Sequence, residues 1–362
     1  MNTKMISLVA VIVLFSGVFV AVASDASWGA DSMTITDGTG TTFTYAEPTQ
    51  HIVTMGYAST LTVAMLGGID KIVATDMYST YSYTKDSRLE NLNAANVGSL
   101  YSSSNNDNIV ANLAQLVDDG KMSRDDTIVL TTYTNALTLR NTLNSHGFTH
   151  VLVYGIPSYP ITNYNQIVKF VKDISIIVTG SVSTIVNNMD AVKANIDKGL
   201  VNVAEKTPAL FVWYSQTSGL SVNTNASIAV SLIDAAGGVS IAKTNGNEAL
   251  ITQLVADNPD TVIFLQDSYI NGGKSISDFR QDVLGGDSSI KVVIVDSKWN
   301  NYDPDAADGL MAFASALHPD QFGEGSKNNE GSSNSNLALY AAAGVIVVIV
   351  ILGCAYFFMR RP

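Results

Sequence analysis

The sequence predicts a two-lobed α/β protein, and three observations carry that reading. From residue 33 to residue 322, short β-branched runs alternate with helical patterns, the signature of mainly parallel sheets flanked by helices. That stretch is about 290 residues, long for one core and comfortable for two. Between the alternating sets, residues 161–206 hold no turn-bounded strand signal, while Val182, Ile185, Val186, Met189, Val192 and Ile196 recur at helical spacing.

The folded part opens with a hairpin. Met33–Thr36 and Thr41–Tyr45 flank Asp37-Gly38-Thr39-Gly40, where glycine allows the positive φ of a tight turn. The first lobe, residues 33–160, follows with strands at His51–Met55, Lys71–Thr75, Thr127–Thr132 and His150–Tyr154. Its helices are expected near Ser59–Leu66, Ile109–Val117 and Asn135–Ser145. The connecting segment, residues 161–206, reads as one long helix from about Ser181 to Glu205, stiff enough to fix the separation of the lobes and limit hinge closure. The second lobe, residues 207–322, has strands at Ala209–Ser215, Thr261–Gln266 and Lys291–Ser297. Its helices are expected near Ala226–Ala235, Glu248–Ala256, Ile276–Val283 and Ala306–Leu317. The expected architecture is therefore two Rossmann-like lobes joined by a single long α-helix.

The ends suggest where the chain resides. Lys4, an apolar run from Ile6 to Val22 and the small-residue pattern Ala21-Val22-Ala23 make residues 1–23 an expected signal peptide. Residues 337–359 carry no charge and are long enough for a transmembrane helix, and Arg360 and Arg361 would hold the C-terminus in the cytoplasm. Residues 323–336, rich in Gly, Ser and Asn, read as a flexible linker. The expectation is a single-pass cell-membrane protein with its folded part extracellular. Asn225-Ala226-Ser227 is a glycosylation sequon consistent with export.

Composition narrows the chemistry. A net charge of −12 disfavours nucleic acid. The one cysteine, Cys354, lies in the expected membrane helix, so the folded part has no disulfide or thiolate metal site. The four histidines, His51, His146, His150 and His318, are not spaced as metal pairs. No G-x-S-x-G elbow occurs, and the glycine pairs fit neither the phosphate-loop nor the dinucleotide pattern. An enzyme has no constellation of groups behind it.

A binding site does. Ligands in open α/β sheets sit at the carboxyl ends of strands. The residues there are aromatic and hydroxylic: Tyr57, Asp76, Tyr78, Tyr81, Tyr83 and Tyr133 in the first lobe, and Tyr214, Gln266, Asp267 and Trp299 in the second. Tyr and Trp offer stiff contact area with a polar tip, suited to a bulky ligand. Tyr57, Asp76, Tyr78, Tyr81, Tyr133, Tyr214, Gln266 and Trp299 are the candidate ligand-binding residues.

Several stretches carry a family resemblance: Met33–Asp76, Ala249–Leu265 (ALITQLVADNPDTVIFL), Val295–Asp303 (VDSKWNNYD) and Leu317–Phe322 (LHPDQF). Together they resemble the ABC-transporter substrate-binding proteins for cobalamin, ferric siderophores and haem. The resemblance implies an ABC permease and its ATPase as partners and a metal chelate as ligand, with no resident cofactor. Relatives dock through a glutamate on each lobe. The matching positions here are Asp107 and Thr252, with Glu248 one helical turn before the latter, so Asp107 and Glu248 are the expected docking acids. The scarcity of arginine near Asp76 and Asp267 favours a weakly charged corrinoid over a strongly anionic siderophore. A surface sensor using the same fold and, less favoured, an extracytoplasmic enzyme are the other readings.

Overall fold

The computed structural model describes residues 32–222 and 227–323. The expected signal peptide, linker and membrane helix, and most of the glycosylation sequon, lie outside the described residues. Among the described residues no helix is long and apolar enough to cross a membrane. The single-pass membrane localisation expected above is corrected accordingly, since no described helix supports a membrane anchor.

Strands β1 (Met33–Thr36) and β2 (Thr42–Tyr45) form the opening antiparallel hairpin. Asp37 closes its turn: one carboxylate oxygen accepts from the N–H groups of Thr39 and Thr41 at 2.9 and 3.0 Å. The other accepts from Val153 N–H and Arg140, both at 2.9 Å, which staples the hairpin to the first lobe.

The first lobe is built on β3 (Ile52–Met55), β4 (Ile72–Thr75), β5 (Ala95–Asn96), β6 (Thr127–Thr131) and β7 (His150–Tyr154). They form an all-parallel sheet in the order β5-β4-β3-β6-β7. Its central strands β3 and β6 are buried along their whole length, as parallel strands covered on both faces must be. Helices α1 (Tyr57–Val63), α2 (Tyr81–Thr84), α3 (Asn106–Asp118) and α4 (Ala136–Ser145) belong to this lobe.

In the connecting segment the expected helix is present but shorter, and a second helix precedes it. The two are α5 (Tyr164–Thr179) and α6 (Thr184–Leu200). Gly180, at φ 81°, ends α5 in the left-handed conformation open to glycine, and the Ser183 side chain caps α6 by accepting from Ile185 N–H. Ser175 locks the corner, donating to Ser181 O and accepting from Ser183 N–H, both at 2.7 Å. The interlobe helix α6 is thus shorter than expected at both ends, about 25 Å long at its 17 residues.

The second lobe contains β8 (Thr207–Ser215), β9 (Gly219–Val222), α7 (Ile228–Ala235), β10 (Gly238–Ser240), β11 (Gly246–Asn247), α8 (Glu248–Asp257) and β12 (Val262–Gln266). It continues with α9 (Ser268–Asn271), α10 (Ile276–Val283), β13 (Val292–Val295), α11 (Ala306–Leu317) and α12 (Pro319–Phe322). The sheet runs β11-β9-β8-β12-β13, with β10 beside the start of β8. It is mixed: β8, β12, β13 and β10 are parallel, whereas β9 turns back antiparallel from β8 and pairs with β11.

The largest apolar cluster belongs to neither lobe alone. It joins Ile52, Val63 and Leu152 of the first lobe to Ile167 and Ile174 of α5, and Val186, Met189 and Ile196 of α6. It then continues into Leu232, Phe264, Leu310, Phe313 and Phe322 of the second lobe. Two smaller clusters cover the outer faces, one under α3 and α4, the other under α8 and α10.

Candidate functional site

The carboxyl ends of the two sheets meet at a cleft of about 490 Å³. Gly56 and Tyr57 follow β3, Tyr78 follows β4, and Thr132 and Tyr133 follow β6. Ser297, Lys298 and Asn301 enter from the second lobe after β13. Two backbone positions here are unusual. Gly56 has φ 114°, and a Cβ there would stand 2.1 Å from Thr131 Oγ1. Thr132, a β-branched residue, has φ 75°. Such conformations persist only where the surroundings over-determine them, and they cluster at binding sites.

The aromatic lining is a chain of edge-to-face contacts. Tyr83 meets Tyr78 at 5.0 Å between ring centroids, Tyr78 meets Tyr101 at 4.7 Å, and Tyr101 meets Tyr133 at 4.7 Å. Tyr83 and Tyr101 are 63% and 66% exposed, so much of this platform is open to a ligand. Burial and the nearby Asp76 raise the Tyr133 hydroxyl well above the usual tyrosine range, so it stays protonated.

The candidate residues separate into three groups. Tyr57, Tyr78 and Tyr133 line the cleft. Asp76 lies directly beneath it, fully buried: its carboxylate accepts from Gly56 N–H at 3.1 Å, Tyr78 N–H at 3.3 Å, Tyr133 Oη at 3.4 Å and the Ser79 hydroxyl. It sets the two loops that carry the tyrosines. Tyr81, Tyr214, Gln266 and Trp299 are not among the lining residues. Tyr81 is exposed with the Lys85 ammonium 5.7 Å from its ring centroid, Tyr214 meets Tyr269 edge-to-face at 5.2 Å between ring centroids, and Gln266 accepts from the Ser268 hydroxyl at 3.0 Å.

Trp299 packs toward the core, edge-to-face with Phe313 at 6.1 Å and against Gly309. Replacing Trp299 by Ala is therefore expected to lower stability by about 2–3 kcal/mol, short of a fully buried Trp because the side chain is only half-buried. Chemical denaturation measures the loss, and an affinity loss in the folded fraction without a stability change would contradict the placement.

Tyr83, Tyr101, Lys85, Lys298 and Asn301 were not among the candidates. Tyr101 follows β5, a two-residue strand too short to leave a sequence signal. Lys298 sits in the 3₁₀ turn Ser297–Asn300 after β13 and Asn301 is the extended residue that follows it, both inside the VDSKWNNYD stretch, and only their spacing from the strand end marked them.

Beneath the second-lobe side of the cleft a polar chain crosses between lobes. Tyr57 Oη donates to Asp86 Oδ2 at 2.7 Å, and Arg88 binds both Asp86 oxygens at 2.9 and 2.6 Å. The same guanidinium makes two bonds of 2.7 Å to Asp305 of the second lobe. The Arg88 hydrogen bonds hold the Asp86 carboxyl well below its usual range. Asp303, fully buried next to this chain, behaves oppositely: one oxygen accepts from Asp305 N–H at 3.0 Å, the other has no partner among the described residues. Burial, with Asp305 adding repulsion, raises its pKa well above the usual value.

Because the folded protein holds that proton where the unfolded chain releases it, Asp303 favours folding most below the unfolded Asp pKa of about 3.9. The contribution is lost as pH rises above that value. Asp303→Asn should raise the melting temperature at pH 7 by a few degrees, roughly 2–4 °C per kcal/mol removed, and change it little at pH 4. An equal shift at both pH values would mean that folding does not raise the Asp303 pKa.

A larger cavity of about 820 Å³ lies elsewhere, between the start of α5, the second half of α6 and α7 with β10. Its Lys193 and Lys206 are each paired with an aspartate of the same cavity, Asp197 and Asp234. It lies away from the carboxyl ends of both sheets and holds none of the candidate residues, so the smaller cleft is the functional candidate.

No known family model matches the chain, and no curated protein does. Solved structures do match in fold. The chain is similar to Helicobacter pylori CeuE in its Ni–His complex, with 16% identity and a TM-score of 0.56 over 83% of this chain and 92% of that one. It is similar to an ABC-type Fe3+-hydroxamate transport protein of Saccharomonospora viridis, with 16% identity and a TM-score of 0.51 over 79% and 99%. A third is the periplasmic vitamin B12 binding protein BtuF of Vibrio cholerae, with 14% identity and a TM-score of 0.52 over 76% and 98%. The chain has the fold of these three solved proteins, the fold that the sequence resemblance implied.

Proposed function

We propose that the chain is the solute-binding component of an ABC importer, which holds a bulky metal chelate between its lobes and hands it to a permease and its ATPase. The observation that carries the reading is the cleft itself: strand ends of two lobes converge on a platform of four tyrosines in edge contact. Such a surface suits a large ligand with polar edges. Supporting it, solved proteins of the same fold are named for transport of Fe3+-hydroxamate and binding of vitamin B12. Corrinoids, ferric siderophores and haem are the ligand classes the reading admits.

Asp107 and Glu248 are the acids proposed to dock on the permease. Both are exposed, and each occupies the first turn of its helix, α3 and α8 respectively. Titrating the protein by calorimetry with cobinamide, ferric trihydroxamate, ferric tris-catecholate and iron protoporphyrin tests the proposal. Saturable one-to-one binding of at least one supports it, and binding of none defeats it.

A further inference from the structure

We infer that the cleft takes an anionic chelate, with its apolar or aromatic body on the tyrosine platform and acidic groups reaching Lys85 on the first lobe and Lys298 on the second. The inference rests on the solute-binding reading above and goes beyond it by assigning the ligand's charge and the two residues that read it.

The cleft is lined by three charged side chains, Lys85, Asp86 and Lys298. Both Asp86 oxygens are engaged by Arg88 and the Tyr57 hydroxyl, so neither is free to clamp a lysine, although the one guanidinium, shared with Asp305, leaves that cluster a net charge of about −1 against the two ammonium groups. Lys85 and Lys298 make no ion pair among the described residues, which is common for lysines here; what sets these two apart is that both line the cleft, one from each lobe. In a chain of net charge −12, two lysines without a carboxylate, one from each lobe of the same cleft, present a positive site in an otherwise acidic molecule. The Lys85 ammonium sits 5.7 Å from the Tyr81 ring centroid, a contact that steadies the side chain without cancelling its charge.

The acids that favoured a weakly charged corrinoid from the sequence do not offset these lysines. Asp76 is fully buried and bound by two backbone N–H groups and two hydroxyls. Asp267 accepts from Ser297 N–H at 3.0 Å and Asn271 Nδ2 at 3.4 Å, and it does not line the cleft. The two walls also differ: the first lobe supplies all the tyrosines and the second supplies Ser297, Lys298 and Asn301. An occupant matched to both walls is amphiphilic, with a stacking body and a charged, hydrogen-bonding edge. A porphyrin dicarboxylate or a ferric tris-catecholate has that chemistry, and a neutral trihydroxamate or a cobinamide lacks it.

Calorimetric affinities of the purified protein for iron protoporphyrin, ferric tris-catecholate, neutral ferric trihydroxamate and cobinamide, each at low and high salt, test this. At least one anionic probe should bind tenfold or more tighter than both of the others, with affinity falling as salt rises. Lys85→Gln and Lys298→Gln should each weaken that probe roughly tenfold and flatten its salt dependence, while Lys121→Gln, a surface control, does neither. Preference for trihydroxamate or cobinamide, or unchanged affinity and salt dependence in both lysine variants, overturns the charge assignment and leaves the solute-binding reading standing. Failure of every probe overturns that reading and this inference with it.

Discussion

Replacing Arg88 by Met is expected to destabilise the protein by about 3 kcal/mol, lowering the urea midpoint by roughly 1 M. The guanidinium binds Asp86 of one lobe and Asp305 of the other through four bonds of 2.6–2.9 Å. Removing it leaves two carboxylates with side-chain exposures of only 3% and 12% facing each other without a counter-charge. The effect sits at the lower end of the range for buried pairs because Arg88 itself is 31% exposed. Adding Asp86→Asn and Asp305→Asn should recover a large part of the loss, since most of it is the unpaired charge rather than the lost contact. A change below 1 kcal/mol in the single variant would show that water already screens the group.

The second large effect is on binding. Tyr78→Ala and Tyr101→Ala should each weaken the cleft's ligand ten- to a hundred-fold, about 1–3 kcal/mol for a lost aromatic anchor. Both rings also support each other, 4.7 Å apart, so the double variant should lose less than the sum of the two. Stability should hardly move for Tyr101, which is 66% exposed, and this separates contact from folding. Unchanged affinity in both variants would remove the platform from the site.

The sequence was legible where a period of burial repeats over a whole element. Strands Met33–Thr36 and His150–Tyr154 and helices Ile276–Val283 and Ala306–Leu317 have the bounds that their apolar spacing implies. What it did not reveal is short or decided by tertiary contact. Strands β5 and β11 are two residues each and owe their existence to a neighbouring strand. In the connecting segment the helix read from about Ser181 to Glu205 is present but shortened to Thr184–Leu200, and the helix Tyr164–Thr179 before it, ended by the left-handed φ of Gly180 and the Ser175 bridge, was not read.

The site was half legible for a related reason. Residues just after a strand are easy to name, but their direction is not: Tyr78 and Tyr133 face the cleft, whereas Trp299 turns inward onto Phe313. Asp76 shows the same limit in charge. A carboxylate counted as a ligand contact is occupied by the loops it holds, and only the hydrogen bonds reveal it.

The apolar cluster shared by the lobes has a consequence for biosynthesis. Val186, Met189 and Ile196 of the interlobe helix are covered by Phe313, Leu317 and Phe322, almost the last residues of the folded part. While a ribosome is still adding residues 306–322, the side of the helix that those residues cover is open to water, and only its contacts with α5 and α7 are in place. The shared cluster therefore closes only when nearly all of the folded part has been made, a window in which a holding chaperone would find its longest-lived target.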